Sequence, residues 1–188
     1  IHVQGFQDAL LPSDYYDLAI TNVPFSDYKP FDKRAKKLGI PSGLVLHDYF
    51  FAKSLTLLRP GGVMAFVTSK GTMDKQNSDF RKYLNKEAKF LGAFRLPNTT
   101  LKESSGTSVV TDNIFLKKRV KGEEVKDEKD WIETKEFSQG TGDEAKRVNI
   151  NTYFHPSSNN LHATLGNLII GESQYGKPEI FVESFVDG

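Results

Sequence analysis

The 188-residue chain contains no cysteine. That excludes disulfides, thiolate metal sites and cysteine nucleophiles, and it fits a reducing, cytoplasmic setting. Histidine is scarce, and no Ser-His pair or metal-ligand spacing stands out, so no metal site is expected. Long apolar runs are absent too. Nothing reads as a membrane span or a signal peptide. Excess charge of either sign is missing, since the net charge is +1. A uniformly basic nucleic-acid coat is thereby excluded, but a local basic patch is not. An initiator methionine is lacking as well. The chain starts at Ile1 inside an apparent strand, as an excised piece of a longer protein would. What is present is 38% hydrophobic and 26% charged residues, the balance of a soluble globular protein with one sizeable core or a domain plus an appendage.

Periodicity sets out the elements. Residues 1–6 alternate loosely and read as a short strand. Leu18–Thr21 is a second strand. Residues 26–43 form a long polar loop, and loops of that length inside compact domains are usually functional. Residues 46–58 predict an amphipathic helix with Phe50, Phe51, Leu55 and Leu58 at helical spacing, ended by Arg59-Pro60-Gly61-Gly62. Residues 63–68 are an almost continuous apolar run, the pattern of a strand buried on both faces. Residues 80–88 predict a second helix, and 90–94 and 113–117 two further strands. The alternation predicts an open, mostly parallel α/β sheet. Composition shifts after Arg119. A charge run, "VKGEEVKDEKD", leads into residues 131–188, which read as a small irregular appendage of short strands. The expected division is therefore 1–119 and 120–188.

In an open parallel sheet, ligands bind beyond the carboxyl ends of the strands. Those ends carry Gly5-Phe6-Gln7-Asp8, Asn22-Val23-Pro24-Phe25 and Thr68-Ser69-Lys70. Together they offer a carboxylate, an amide, two aromatics and hydroxyls, a set suited to a flat polar ligand such as a nucleobase. Each residue also has a plainer reading. Asn22 can cap a turn, Phe25 and Phe6 can be core, and Asp8 can be a turn residue. The basic run Lys29, Lys33, Arg34, Lys36 and Lys37 can contact phosphates or be a solvated loop. His47 with Asp48 fits helix entry better than a catalytic dyad. Tyr49, Phe50 and Phe51 read as helix core.

Asn22-Val23-Pro24-Phe25 after an apolar strand resembles the (Asp/Asn)-Pro-Pro-(Tyr/Phe) motif of S-adenosylmethionine-dependent adenine-N6 DNA methyltransferases. Three blocks carry the resemblance: "YYDLAITNVPF", "LHDYFFAKSLTLLRPGGVMAFVTSKGTMD" and "LGAFRLPNTTLKESSGTSVVTDNIFLKKR". They look most similar to the methylase modules of phage antirestriction and mobile-element helicase–methylase proteins, and more distantly to modification subunits of type I restriction systems. The resemblance covers residues 1–119. It implies the later strands of a partial Rossmann-like class I methyltransferase sheet, with DNA as partner.

The resemblance also implies roles. The Asn22 amide oxygen and the backbone carbonyl of Val23 would accept hydrogen bonds from the two N–H groups of the target amine, so that its nitrogen can rehybridise for attack. Pro24 completes the turn, and Phe25 would stack on a base flipped out of the duplex. Phe6 and Asp8 would meet the adenine end of S-adenosylmethionine. Val23 stands where the family has a first proline, so Val23→Pro is expected to be tolerated. The family's glycine-rich cofactor turn and its ribose-binding acid have no counterpart in this sequence. The pocket for S-adenosylmethionine is thus expected to be incomplete, the fragment inactive alone, and the remainder of the parent methylase a required partner. Alternatives are an RNA-base or protein-glutamine methyltransferase, and a non-catalytic DNA-binding or scaffold module.

Overall fold

A computed structural model describes residues 4–100, 109–173 and 175–185. Strand β1 (Tyr16–Asn22) is followed by helix α1 (Leu46–Leu57), strand β2 (Leu58–Ser69), the short helix α2 (Gly71–Asp74) and helix α3 (Asp79–Glu87). Strands β3 (Ala88–Leu96) and β4 (Thr111–Lys118), helix α4 (Lys129–Ile132) and strands β5 (Thr134–Gln139), β6 (Lys146–Asn151), β7 (Asn167–Glu172) and β8 (Pro178–Glu183) complete the chain. Of the strand expected over residues 1–6, positions 1–3 lie outside the described residues. Phe6–Asp8 instead form one 3-10 turn.

The main sheet has the order β1-β2-β4-β3. β1 and β2 are parallel, with Leu18 opposite Val63 and Asn22 opposite Val67. A parallel pair needs a crossover, and α1 supplies it. β4 runs against both neighbours. The Lys70 N–H at the carboxyl end of β2 donates to Val110 O just before β4. The Arg119 N–H just beyond β4 donates to Glu87 O just before β3. No helix joins β3 to β4 among the described residues, and a connection without one suits an antiparallel pair. The sheet is therefore mixed rather than uniformly parallel.

β2 also starts earlier than its apolar run. Tyr16 pairs with Leu58 and Leu18 with Val63, so Arg59–Gly62 bulge between the two pairs. Gly61 takes a φ of 80° there. A Cβ on Gly62 would sit 2.9 Å from Arg59 O and 3.1 Å from Tyr16 O, so only glycine fits this approach to β1. Along β2, Met64, Phe66 and Thr68 are buried while Val63, Ala65 and Val67 are half-buried. One face, not both, is fully covered.

Compact packing divides the chain into two units, and it divides it differently from composition. The first is Ile1–Thr68 with Tyr83–Gly92 and Ile114–Lys126. Its core gathers Phe51, Leu55, Leu58, Met64, Phe66, Leu84, Ile114 and Leu116. Phe51 and Phe66 meet edge to face at 4.9 Å. The second is Ser69–Lys82 with Ala93–Asn113 and Asp127–Gly188. In it β5 pairs antiparallel with β6, and β7 with β8.

The second unit is held by buried polar side chains. Arg95 is fully buried, and its guanidinium bonds both carboxylate oxygens of Asp112 at 2.8 Å and both of Asp74 at 2.9 Å. The Phe154 ring covers it at 4.2 Å. The Asn151 N–H donates to Asp74, and its side-chain amide donates to the carbonyls of Met73 and Trp131. Arg81 reaches the carbonyls of Thr72, Lys75 and Ile132. Trp131, Asn151 and Phe154, from the stretch read as an appendage, are thus core residues of a unit that also contains α2 and the end of β3. No helix among the described residues is long and apolar enough to cross a membrane.

Arg95→Met should cost about 3–5 kcal/mol, because it leaves the buried Asp112 and Asp74 carboxylates without their cation. Urea unfolding of the variant checks this, and a loss below about 1 kcal/mol would contradict it.

Candidate active site

Strand alternation explains how the end of β1 presents its residues. Asn22 is exposed, Val23 turns into the core with 1% of its surface accessible, and Pro24 and Phe25 return to solvent. Phe25 keeps 43% of its surface exposed, so it is not core. The Val23 N–H donates to Val67 O at 2.8 Å, extending the β1–β2 ladder one residue past the strand. Pro24 in turn restricts Val23 to extended backbone. A buried side chain, a ladder bond and a following proline therefore hold Val23 where the motif usually has a proline ring.

Phe6 lies in the same unit. Its ring is half-buried, 4.9 Å from the Phe50 ring and edge-on to Tyr49 at 6.3 Å. Asp8 is exposed and accepts a bond from the Gln7 side chain at 3.0 Å. Thr68 is fully buried, so its hydroxyl does not line an open edge. Lys70 forms an ion pair with Glu179 in the second unit.

Residue patterning left one network unassigned. Lys53 on α1 and Asp32 in the long loop form an ion pair at 3.2 Å, both side chains 1% exposed. The Tyr49 hydroxyl donates to the same carboxylate at 2.7 Å, and the Lys53 ammonium also donates to the Phe6 carbonyl. The ammonium sits 5.0 Å from the centre of the Phe6 ring. Burial alone would raise the Asp32 carboxyl. The Tyr49 hydroxyl, the Arg34 N–H and the Lys53 ammonium outweigh it and hold the carboxyl below its usual range. Burial pulls the Lys53 ammonium down despite Asp32, and burial together with Asp32 pushes the Tyr49 phenol up. The signal in sequence was a lysine four residues after Tyr49, inside the buried stripe of a helix.

The basic run is placed unevenly. Lys29, Lys33, Lys36 and Lys37 are exposed. Arg34 is half-buried, and its guanidinium donates to the carbonyls of Gln7 at 3.2 Å and Ala9 at 2.8 Å. It ties the loop to the Phe6–Asp8 turn. Among the described residues no group of acidic and histidine side chains could hold a metal ion. The glycine pair of the sequence, Gly61-Gly62, lies in the β2 bulge, where it lets β1 and β2 approach. Phe6 and Asp8, read from sequence as meeting the adenine end of the cofactor, lie on one 3-10 turn.

A class I S-adenosylmethionine-dependent methyltransferase assignment belongs to a solved Listeria monocytogenes protein that matches this chain with a TM-score of 0.50 at 23% identity. The match covers 64% of this chain and 37% of that one. The fold is that of a class I methyltransferase. The M protein of the type I restriction enzyme EcoKI matches with a TM-score of 0.43 at 20% identity, over 57% of this chain and 22% of its own. In sequence, the chain is 32% identical over 115 residues to defense against restriction protein B of Escherichia phage P1. That match covers 57% of this chain and 5% of the phage protein, so the chain spans a small part of its curated relative. No family model matches the sequence. Within the class I methyltransferase fold, the observed strands account for part of the sheet.

Val23→Pro, read from sequence as tolerated, now carries the opposite expectation. It deletes the N–H that donates to Val67 O and empties part of a buried site, so it should destabilise the protein by about 1–3 kcal/mol in thermal unfolding. Lys53→Met should cost about 3–5 kcal/mol by stranding the Asp32 carboxylate. The sign of the acid dependence follows from Asp32. Its folded pKa lies below the ordinary value of 3.8, so its contribution is present above that pH and is lost as pH falls through the folded value. In Asp32→Asn, acid unfolding should lose this component below pH 3.8.

Proposed function

We propose that this chain supplies the target-base half of an S-adenosylmethionine-dependent methyltransferase that methylates the exocyclic amine of adenine in DNA. One observation carries the reading. Asn22 and Phe25 are both exposed at the carboxyl end of β1, while Val23 between them is locked into the core and the ladder. This is the arrangement that an amine-binding pair and a stacking ring need. The class I methyltransferase fold and the sequence similarity to a phage antirestriction protein support it.

The chemistry falls to a few atoms. S-adenosylmethionine, when bound, supplies a methyl group activated on a sulfonium. The Asn22 amide oxygen accepts a hydrogen bond from one N–H of the adenine amine, and the Val23 carbonyl accepts one from the other. Both bonds would draw the nitrogen lone pair out of conjugation and so ready the amine to take up the methyl group. The extra proton then leaves to solvent. Phe25 stacks on the flipped base, a contact worth about 1–3 kcal/mol.

Residues 1–119 carry this catalytic half, and 120–188 follow it. The partner is the remainder of the parent methylase, acting with the chain in the cytoplasm. Phe6 and Asp8 would hold the adenine end of the cofactor; its methionine and ribose would fall to that remainder, and the chain alone would be inactive. The sheet supports such a partner. β1 ends the strand order, and Leu18 and Ile20 on its exposed face are 52% and 71% accessible. They line a recess of about 360 Å3 with Phe6 and Phe50. An edge strand with apolar side chains in water invites a further strand.

The test is methyl transfer from labelled cofactor to duplex DNA by the complete parent protein, with DNA binding measured in parallel. Asn22→Ala should lower turnover by about 100-fold or more while DNA affinity stays within about twofold, because the lost bond strengthens in the transition state. Phe25→Ala should weaken capture of the base as well as slow transfer, and Phe25→Tyr should restore both. Full turnover in Asn22→Ala would overturn the mechanism and favour a non-catalytic DNA-binding module.

A further inference from the structure

The loop after the motif exposes more aromatic surface than a solvated turn has use for. Tyr28 is 59% accessible and Phe31 is 76% accessible, close in sequence to Phe25. Aromatic residues recur every third position from Phe25 to Phe31, with Lys29 among them and Lys33, Lys36 and Lys37 following. Between Asp27 and Lys37 stand five basic side chains and two acidic ones, and the Asp32 carboxylate is already neutralised by Lys53.

At Phe31 this exposure does not come from a loose segment. Asp32, next to Phe31, is anchored by Tyr49 and Lys53. Arg34 is anchored to Gln7 and Ala9, and Ile40 is 5% accessible. The Ala35 N–H bonds Asp32 O, and the Ile40 N–H bonds Ala35 O. Alternate positions are thus tied down, while Phe31, Lys33 and Lys36 are held outward. Phe31, Lys33, Lys36, Pro41 and Tyr49 line a recess of about 560 Å3, within the range that takes a small flat ligand.

Rigidly presented aromatic faces among lysines are the components of a single-strand nucleic-acid surface. Rings stack on bases without regard to sequence, and ammonium groups track the phosphates. We propose that Tyr28 and Phe31 form a stacking platform for unpaired DNA bases next to the target nucleotide, with Lys29, Lys33 and Lys36 carrying the phosphates. The proposal rests on the DNA reading of this site but not on methyl transfer. It gives the platform a task beyond the flipped base itself. Once a nucleotide leaves the duplex its neighbours lose stacking, and two further rings replace it. It also separates roles within the basic run, since Arg34 is spent on holding the loop.

The experiment uses this 188-residue chain and a fluorescein-labelled DNA single strand of about 12 nucleotides, read by anisotropy over a salt series, with the matching duplex alongside. Binding of the single strand should be saturable and tighter than that of the duplex. Tyr28→Ala and Phe31→Ala should each weaken it by about 5- to 100-fold with the salt slope unchanged, and Phe31→Trp should restore it. Lys33→Gln and Lys36→Gln should each reduce the salt slope by about 0.7. All four side chains are solvent-exposed, so unfolding midpoints should stay at the wild-type value. Affinity within twofold of wild type in both aromatic variants overturns the platform, as does the absence of saturable binding by the wild-type chain. A Phe31-dependent dimer in ultracentrifugation without strand binding overturns it in favour of self-association. Methyl transfer is not read here, so failure of the platform leaves the Asn22 test standing, and the reverse.

Discussion

The buried Lys53–Asp32 pair is the constraint on which the candidate site depends. Two opposite charges with 1% exposure are costly to desolvate, and they persist because each has further hydrogen-bond partners besides the other. Tyr49 donates to the carboxylate, the Arg34 N–H donates to it as well, and the ammonium reaches the Phe6 carbonyl. Three separate stretches meet there: the Phe6–Asp8 turn, the long loop and helix α1. A hydrophobic contact could bring the same stretches together, but it would not fix their angular relation. A hydrogen-bonded pair does so, because each bond weakens steeply when bent.

That anchor sets the course of the long loop. With Asp32 and Arg34 pinned, the loop leaving Phe25 returns to α1 along a fixed course, and its outward residues are held outward. The other end of the site is fixed by β1, whose ladder runs on to Val23. The bulge at Arg59–Gly62 brings the start of β2 back into register, and Gly62 allows the backbones to approach. The second unit uses the same physics with a different cation. Arg95, between two carboxylates and under the Phe154 ring, organises segments that are far apart in sequence.

Much of the first unit was legible from periodicity. Helix α1 ends one residue from its expected limit, and β4 and α3 begin within two residues of theirs. These elements repeat apolar residues at one clear period, so local pattern and tertiary burial agree. The direction of β4 was not legible, because a strand pattern reads the same in either direction. The reach of β2 through Arg59-Pro60-Gly61-Gly62 was hidden as well. Glycine and proline there signal a stop locally, yet pairing with Tyr16 absorbs them in a bulge. Residues 120–188 were read as a charged linker and appendage because their apolar residues are few. Trp131, Asn151 and Phe154 belong to a core through bonds to α2 and to Arg95, which no composition window contains.

The sequence by itself determined the chemistry on offer. Asn22, Val23, Pro24 and Phe25 close a strand, cysteine is absent, and lysines crowd the next loop. Those are statements about residue type and order, and order is what a chain carries. Tertiary structure alone decided which of these groups face solvent and which are spent inside. Val23 became a plug while Phe25 stayed open, and Arg34 became a tie while Lys33 and Lys36 stayed outside. Lys53, read as one more position on a helix, became the centre of a buried network with Asp32, Tyr49 and the Phe6 carbonyl. The reason is that burying a charge is favourable only beside a partner, and its partner, Asp32, comes from a loop 21 residues away.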